Sequence, residues 1–505
     1  MKMTAKAGLF LVEVIVILFI NYFPHYFAWK QTPSNFFFSG QASWFDPWDI
    51  NNYLATIKVA QQGSGFWLAN INTTAVVKPA LVYPVYVMAG KLLAKINPVI
   101  VYQVLALAAA VLLIKVIFIL SYLIFRKWYY ALLAVALISL GGGFGYLFAF
   151  TKVSVDLTVP GVTMLSNFQK PHEAIASIFY FISLFSYYAA IKREKIIFLC
   201  LSIITLILSI PIYPYRLLSF YLIVGSYSLY LYFIKENVRP IIYGLISAIT
   251  VFFPAVIYIY GFMTSGYSVL TSYSPTPISL PGLISGYGIF LLLFVYQLAF
   301  IRSNNPLKPF LGIWVIVTLI LSVWPWGMGR LFLNSLIFPM AILLVLAIED
   351  IAMKVRMPVW ITATFILAFC LPTSVYVFGK RIAEVNNKNI WYYLPIDYKE
   401  SFEIIEKQKG NGVLAMPPVN SFVPAFTGKH VYFGLPDQTP DYQYRMGQAV
   451  MFYSGKLSVE DARAFLQENK VNTVILSKET KNLGILDYGF LSKVYESDNL
   501  VVLSL

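Results

Sequence analysis

Charge is scarce in this chain. Only 12% of its 505 residues are Asp, Glu, Lys or Arg, about half the share in soluble domains. Cysteine and histidine are scarcer still, with two and three copies. Cys200 and Cys370 both lie inside apolar runs, which supports neither a disulfide framework nor a cysteine-based metal site. Acids are thin in the first three-quarters. Residues 1–378 hold 9 Asp and Glu against 23 Lys and Arg, whereas residues 379–505 hold 14 against 14. The net charge of +14 therefore sits in the apolar part, where basic loops set membrane orientation. It does not mark a nucleic-acid partner.

What the chain has in abundance is apolar surface: 59% hydrophobic and 17% aromatic residues. Runs near the roughly 20 residues needed to cross a bilayer recur at about 8–28, 98–125, 128–150, 173–191, 196–213, 216–234, 241–262, 282–302, 309–325, 331–349 and 358–378. The expected fold is an α-helical polytopic membrane protein with about eleven transmembrane helices over 1–378, followed by a soluble α/β domain over 379–505. The first run follows Lys2 and Lys6 and lacks a small-residue cleavage site, so it reads as a retained helix.

Basic residues then alternate by side. Lys2/Lys6, Arg126-Lys127, Lys192-Arg193-Lys195, Lys235/Arg239, Arg302/Lys308 and Lys354/Arg356 fall together, and the positive-inside rule makes that side cytoplasmic. The protein is expected in a bacterial or archaeal-type plasma membrane, N-terminus inside and tail outside. The apolar run 80–96 carries Lys91 and Lys95 and breaks at Asn97-Pro98. As a span it would destroy the alternation, so it reads as a helix at the outer interface whose lysines reach water. The first outer loop then covers 29–97.

In that loop, residues 43–53 (SWFDPWDINNY) set two carboxylates three residues apart. Asp46 before Pro47 fits an N-cap, and Asp49 fits the third helical position. Ile50, Tyr53, Leu54 and Ile57 recur at helical spacing, so 46–63 reads as an amphipathic helix on the outer face that ends at Gly63. Tryptophans at 44, 48 and 67 suit interfacial depth. A carboxylate there is partly desolvated, binds protons more tightly, and could serve as a general base for an acceptor at the membrane surface.

Other polar residues fall on the same side. In Lys170-Pro171-His172-Glu173 a helix start accounts for Pro171 and Glu173, and His172 could bind phosphate oxygens or move a proton. Arg216, Arg330, Lys78 and Lys170 are either membrane-edge anchors or parts of a phosphate clamp. Asp156 is the only distant partner for His172 as a metal ligand, so no metal set is assigned. No cofactor is certain, and a divalent metal stays open. Gly141-Gly142-Gly143-Phe144-Gly145 lacks the Lys-Ser/Thr of a phosphate loop and reads as close packing or an unwound segment. Glu13 and Lys115 lie inside spans and are left open. Asn72-Thr73-Thr74 fits a glycosylation sequon.

In the tail, strands are expected at 413–416, 431–433, 474–476 and 500–503, with helices at 400–407 and 459–469. The segment 417–421 (PPVNS) follows the first strand, the usual place for a binding loop in open α/β sheets. The tail is expected to cover the outer cavity or help hold an acceptor; the alternative is a stabilising cap.

Asp49, Asn51, Tyr53 and Leu54 form an Asp-x-Asn-x-Tyr-Leu opening after a single span, and 78–84 (KPALVYP) contains a Pro-x-Leu-x-Tyr-Pro run. This pattern resembles the GT-C superfamily of multispanning glycosyltransferases, in particular its bacterial family 39-like group. The resemblance implies transfer of a sugar from a polyprenyl-phosphate-linked donor to an extracytoplasmic lipid, glycan or protein acceptor. It implies Asp49 as catalytic base, with Asp46 as second choice. Tyr53, Lys78, Lys170, His172, Glu173, Arg216 and Arg330 are the candidate substrate-binding residues, the last two and His172 for the donor phosphate. The competing readings are a transporter, against which stand the missing internal repeat and paired broken helices, and a non-catalytic envelope assembly protein.

Overall fold

The computed structural model describes residues 3–149, 154–271, 278–298, 305–324, 329–477 and 488–505. Among them, eight helices are long and apolar enough to cross a bilayer: Ala5–Lys30, Pro98–Phe125, Trp128–Phe148, Pro171–Arg193, Arg216–Lys235, Arg239–Met263, Leu280–Leu298 and Val359–Asn386. Three further expected spans are weaker. Ile196–Ser209 has 14 residues and Leu307–Val323 has 17. The first is about 21 Å long at 1.5 Å per residue, because Pro211 and Pro214 follow it. Ile337–Lys354 has the length but closes on Glu349, Asp350 and Lys354. Positions 150, 299–302 and 325 of the expected spans, Lys2 and Arg302 of the basic clusters, and 325–328 before Arg330 lie outside the described residues.

Helix faces carry Ile249, Phe252, Phe253 and Ile257 outward, an apolar surface of the kind that lipid covers favourably. The interior is aromatic: Trp314 stacks on Phe338, whose ring meets Phe181 at 4.3 Å. The protein is therefore an integral membrane protein with a small C-terminal β-sheet domain. Ion pairs Lys127–Glu349 (2.9 Å) and Arg239–Glu194 (2.5 Å) hold one end of the bundle. Asn97, Lys170 and Arg216 start helices at the opposite end.

The glycine run does unwind. Regular helix stops at Leu140, and the Gly143 and Gly145 N–H groups donate to the Asp156 carboxylate at 3.0 and 3.3 Å. Ser154 and Thr373 donate to it as well. A Cβ on Gly143 would stand 2.2 Å from the Ser285 carbonyl oxygen, so the close approach needs glycine. Asp156 is thus fully engaged in knitting backbone, which removes it as a metal partner for His172.

The first loop departs from expectation. The helix Pro47–Gln61 has its expected stripe of Ile50, Tyr53, Leu54 and Ile57 buried, but Asn51, Asn52, Ala55 and Thr56 are buried too. It does not present a polar face to water, because the C-terminal domain lies over it: Asn51 donates to Ser421 Oγ at 3.3 Å. Asn72 is buried as well, bonded to Asn52 and Gln438, so the sequon has no room for a glycan. The run 80–96 forms the helix Pro84–Leu92, about 14 Å long and too short to span. It packs on Pro47–Gln61 rather than lying free at an interface, and Lys91 donates to the Ser64 carbonyl.

The tail builds a five-stranded sheet in the order His430–Val431, Gly412–Leu414, Thr473–Ser477, Leu500–Ser504, Ser492–Glu496. The first three strands are parallel and the last two join antiparallel. Four strands lie where the apolar runs predict them. Ser492–Glu496 was not expected, because it is an exposed, charged edge. Phe36–Phe38 pairs antiparallel with Tyr393–Pro395, tying the first loop to the start of the tail. Cys200 and Cys370 are both free thiols.

Arg381 locks these parts together. It is buried, and its guanidinium donates to the carbonyls of Ala42 (2.6 Å), Asn21 (2.9 Å) and Ile20 (3.4 Å). One charged fork thus joins the last long helix, the first helix and the first loop. Arg381→Met is expected to destabilise the purified protein by about 3 kcal/mol or more, because buried carbonyls lose charged donors. A thermal unfolding scan measures this; an unchanged midpoint would show that the fork contributes nothing.

Candidate functional site

The site begins at the start of the Pro47–Gln61 helix. Asp46 precedes it with φ 44°, in the left-handed region, and its side chain makes no capping hydrogen bond. The N-cap reading therefore fails for its carboxylate, because that group has another partner. The Asp46 Oδ2 lies 3.4 Å from the Lys170 ammonium, and Asp49 Oδ2 lies 3.1 Å from the same nitrogen. Glu173 Oε1 is 4.0 Å away. The Lys170 side chain is 3% exposed, against 18% for Asp46 and 21% for Asp49. The lysine is the buried partner, and the aspartates are its accessible wall.

Sequence explains why Lys170 is held there. Pro171 opens the Pro171–Arg193 helix, with Lys170 as the residue before it, and a residue before proline is kept extended. The two residues upstream are pinned from other helices. Tyr22 donates to the Phe168 carbonyl at 2.6 Å, and Tyr102 to the Gln169 carbonyl at 2.7 Å.

The remaining sequence candidates divide. His172 sits among tyrosines, with Nδ1 2.7 Å from Tyr86 Oη and Nε2 3.2 Å from Tyr213 Oη. The Tyr53 ring lies 4.7 Å from its imidazole and stacks on Tyr86 at 4.6 Å. Glu173 accepts from Ser166 Oγ at 3.0 Å. Arg216 lies one layer back: it is buried, donates to Ser177 Oγ, and stacks over Tyr180 and Tyr213. It lines neither cavity described below and meets the site through Tyr213 and Tyr215. Lys78 is exposed and away from both. Only its backbone carbonyl is used, by the Gly266 N–H.

Two cavities meet at these aspartates. The larger, about 590 Å³, runs between Asp46, Asp49, Lys170, His172 and Arg330 on one side and the apolar Tyr258, Ile259, Phe262 and Met263 of a membrane helix on the other. The smaller, about 370 Å³, is bounded by Trp48, Trp391, Asn420, Ser421 and Tyr442. Asp46, Asp49, Arg330 and Asp437 line both. Loops following the parallel strands Gly412–Leu414 and His430–Val431 supply the tail's share, where open α/β sheets place their crevice. Asp437 was not expected as a site residue. Its signal was available, since it follows a predicted strand in a loop of mixed Asp, Gln, Thr and Pro.

The electrostatics follow from one ammonium shared among several carboxylates. Burial and Asp46 raise the proton affinity of Asp49, while Lys170 and Arg330 oppose them; the net direction is upward. Burial would lower Lys170, but Asp49, Asp46 and Glu173 outweigh it and the ammonium is held protonated. The two directions agree: the cation is over-supplied with partners, the anions under-supplied. Asp437 is pushed up to about 7 by burial first and the Asp49 charge second.

A divalent ion fits this donor set poorly. Mg²⁺ and Ca²⁺ need six or more oxygen ligands close by, and the space between Asp46 and Asp49 is taken by Lys170 Nζ. Among the described residues no group of three His, Cys, Asp or Glu is placed to hold a metal.

No family model matches the chain, and no curated protein matches it by sequence. Solved structures do. The apo oligosaccharyltransferase of the archaeon Archaeoglobus fulgidus superposes with a TM-score of 0.58 at 13% identity, covering 97% of this chain and 72% of that one. The same organism's AglB with an inhibitory peptide and a dolichol-phosphate gives 0.57 at 12% identity, covering 94% and 70%. The Zn and sulfate complex gives 0.54 at 14% identity, covering 94% and 68%. The match spans nearly the whole of this chain, at an identity that speaks for fold alone. In fold, then, this chain is similar to these archaeal oligosaccharyltransferase structures.

Proposed function

We propose that the protein transfers a sugar from a polyprenyl-phosphate-linked donor to an extracytoplasmic acceptor. The observation that carries this reading is the junction at Asp46, Asp49, Arg330 and Asp437, shared by an apolar cavity among membrane helices and a more polar one against the tail. A lipid-linked donor needs the first kind of surface, and a hydrophilic acceptor needs the second. The likeness to a protein solved with a dolichol-phosphate, and elsewhere with a tethered acceptor peptide, supports the same division. The acceptor here is a lipid, glycan or protein.

In this reading Asp49 is the base. It takes the acceptor hydroxyl proton as the acceptor oxygen bonds to the sugar's C1 and the bond from C1 to the phosphate oxygen breaks. The electron pair leaves with the phosphate, and Arg330 and the His172–tyrosine cluster receive it. Lys170 holds Asp46 and Asp49 in place, and Arg216 positions Tyr213 beside His172. The basic clusters lie at the end away from this junction, so we place the N-terminus in the cytoplasm and the site outside. Residues 1–378 form the membrane unit, and 379–505 an extracytoplasmic domain that walls the acceptor cavity.

Asp49→Asn in purified, lipid-reconstituted protein supplied with labelled lipid-linked sugar is expected to lose transfer by about 10²- to 10⁴-fold. Asp46→Asn should cost less. Retained wild-type turnover in Asp49→Asn would remove it as the base.

A pH measurement tests the burial of Asp437. Its folded pKa of about 7 lies above the ordinary 3.8, so the folded state binds the extra proton between those values. Stability tied to this group is present at low pH and lost as pH rises through about 7. Wild type should therefore lose thermal stability relative to Asp437→Asn as pH rises through this window. A pH-independent difference between the two would show that Asp437 ionises freely.

A further inference from the structure

The carboxylates of the first loop face one another across a gap that is already filled. Lys170 Nζ stands 3.1 Å from one and 3.4 Å from the other, with Glu173 at 4.0 Å behind. Its side chain is almost wholly buried, and its backbone is fixed by the proline-started helix and by Tyr22 and Tyr102. This is not a surface lysine that swings onto an acid. A metal ion bound to both Oδ2 atoms at the usual 2.0–2.6 Å would stand against the buried ammonium, and the two like charges would repel at close range.

We propose that the Lys170 ammonium is the built-in cation of this site: it holds the place between Asp46 and Asp49 that a divalent metal would need, and the protein binds no divalent metal there. The carboxylates are held by a monovalent group on a buried side chain whose backbone is fixed in place. The cation therefore cannot be removed by a chelator or exchanged with the medium. This statement concerns binding alone and holds whether or not the protein transfers sugars.

The test uses the full chain, purified in detergent, stripped with chelator and titrated with Mn²⁺ under electron paramagnetic resonance. Wild type is expected to bind no Mn²⁺ at this site, and elemental analysis before stripping should find no stoichiometric divalent metal. Lys170→Met, which keeps bulk and removes charge, leaves facing carboxylates and should bind Mn²⁺ at least about tenfold more tightly than wild type. Adding Asp49→Asn to that variant should abolish the gain. Lys170→Arg, which keeps a monocation, should behave as wild type. The proposal is overturned if wild type carries a divalent ion that Asp46→Asn or Asp49→Asn releases. It is equally overturned if a folded Lys170→Met binds no more Mn²⁺ than wild type. Should Lys170→Met not fold, the wild-type and Lys170→Arg measurements decide.

Discussion

A single buried ammonium organises the end of the bundle where the loop helix meets the membrane helices. Lys170 bridges Asp46 and Asp49 on the loop helix and stands near Glu173 on its own helix. Taking such a cation out of water is costly, and three carboxylates in reach offset it. Removing one partner of a buried pair costs on the order of 3–5 kcal/mol, so the loop helix and the membrane helix are held in one arrangement. The same sharing leaves the aspartates less than fully neutralised. That is why Asp49 binds protons more readily than an ordinary aspartate while the lysine stays charged.

The second constraint is the tail's cover over the first loop. Pairing of Phe36–Phe38 with Tyr393–Pro395, the Asn51–Ser421 bond and the Asn72–Gln438 bond draw the domain down onto the loop helix. Its strand-end loops then close a cavity whose other wall is the aspartate pair. A carboxylate that would otherwise face solvent lies between an apolar hollow and a more polar one. Desolvation at Asp49 is a product of assembly, not of the loop alone.

The apolar spans, the non-spanning run at 80–96 and four of the sheet strands were legible in the sequence, because apolar length and period depend on local composition. The desolvated carboxylate at Asp49 and the irregular glycine run at Gly141-Gly142-Gly143 were legible as residues without geometry, whereas the partners of Lys170 and His172 were not. Misread were the Asp46 cap and the exposed face of the loop helix. In both cases a contact more than 100 positions away decided the outcome, and no local rule encodes such contacts.

By itself, the sequence determined that the chain crosses a membrane, that its tail is a separate kind of surface, and that two of its rare acids stand three residues apart in one loop. Hydrophobic length and charge spacing are properties of neighbouring residues. Only the tertiary structure decided that Lys170 fills the gap between those acids, that Asp437 joins them from the tail, and that Arg216 stands behind Tyr213. Those facts depend on which helices and loops pack together, and burial acts on a charge only once the chain has closed around it.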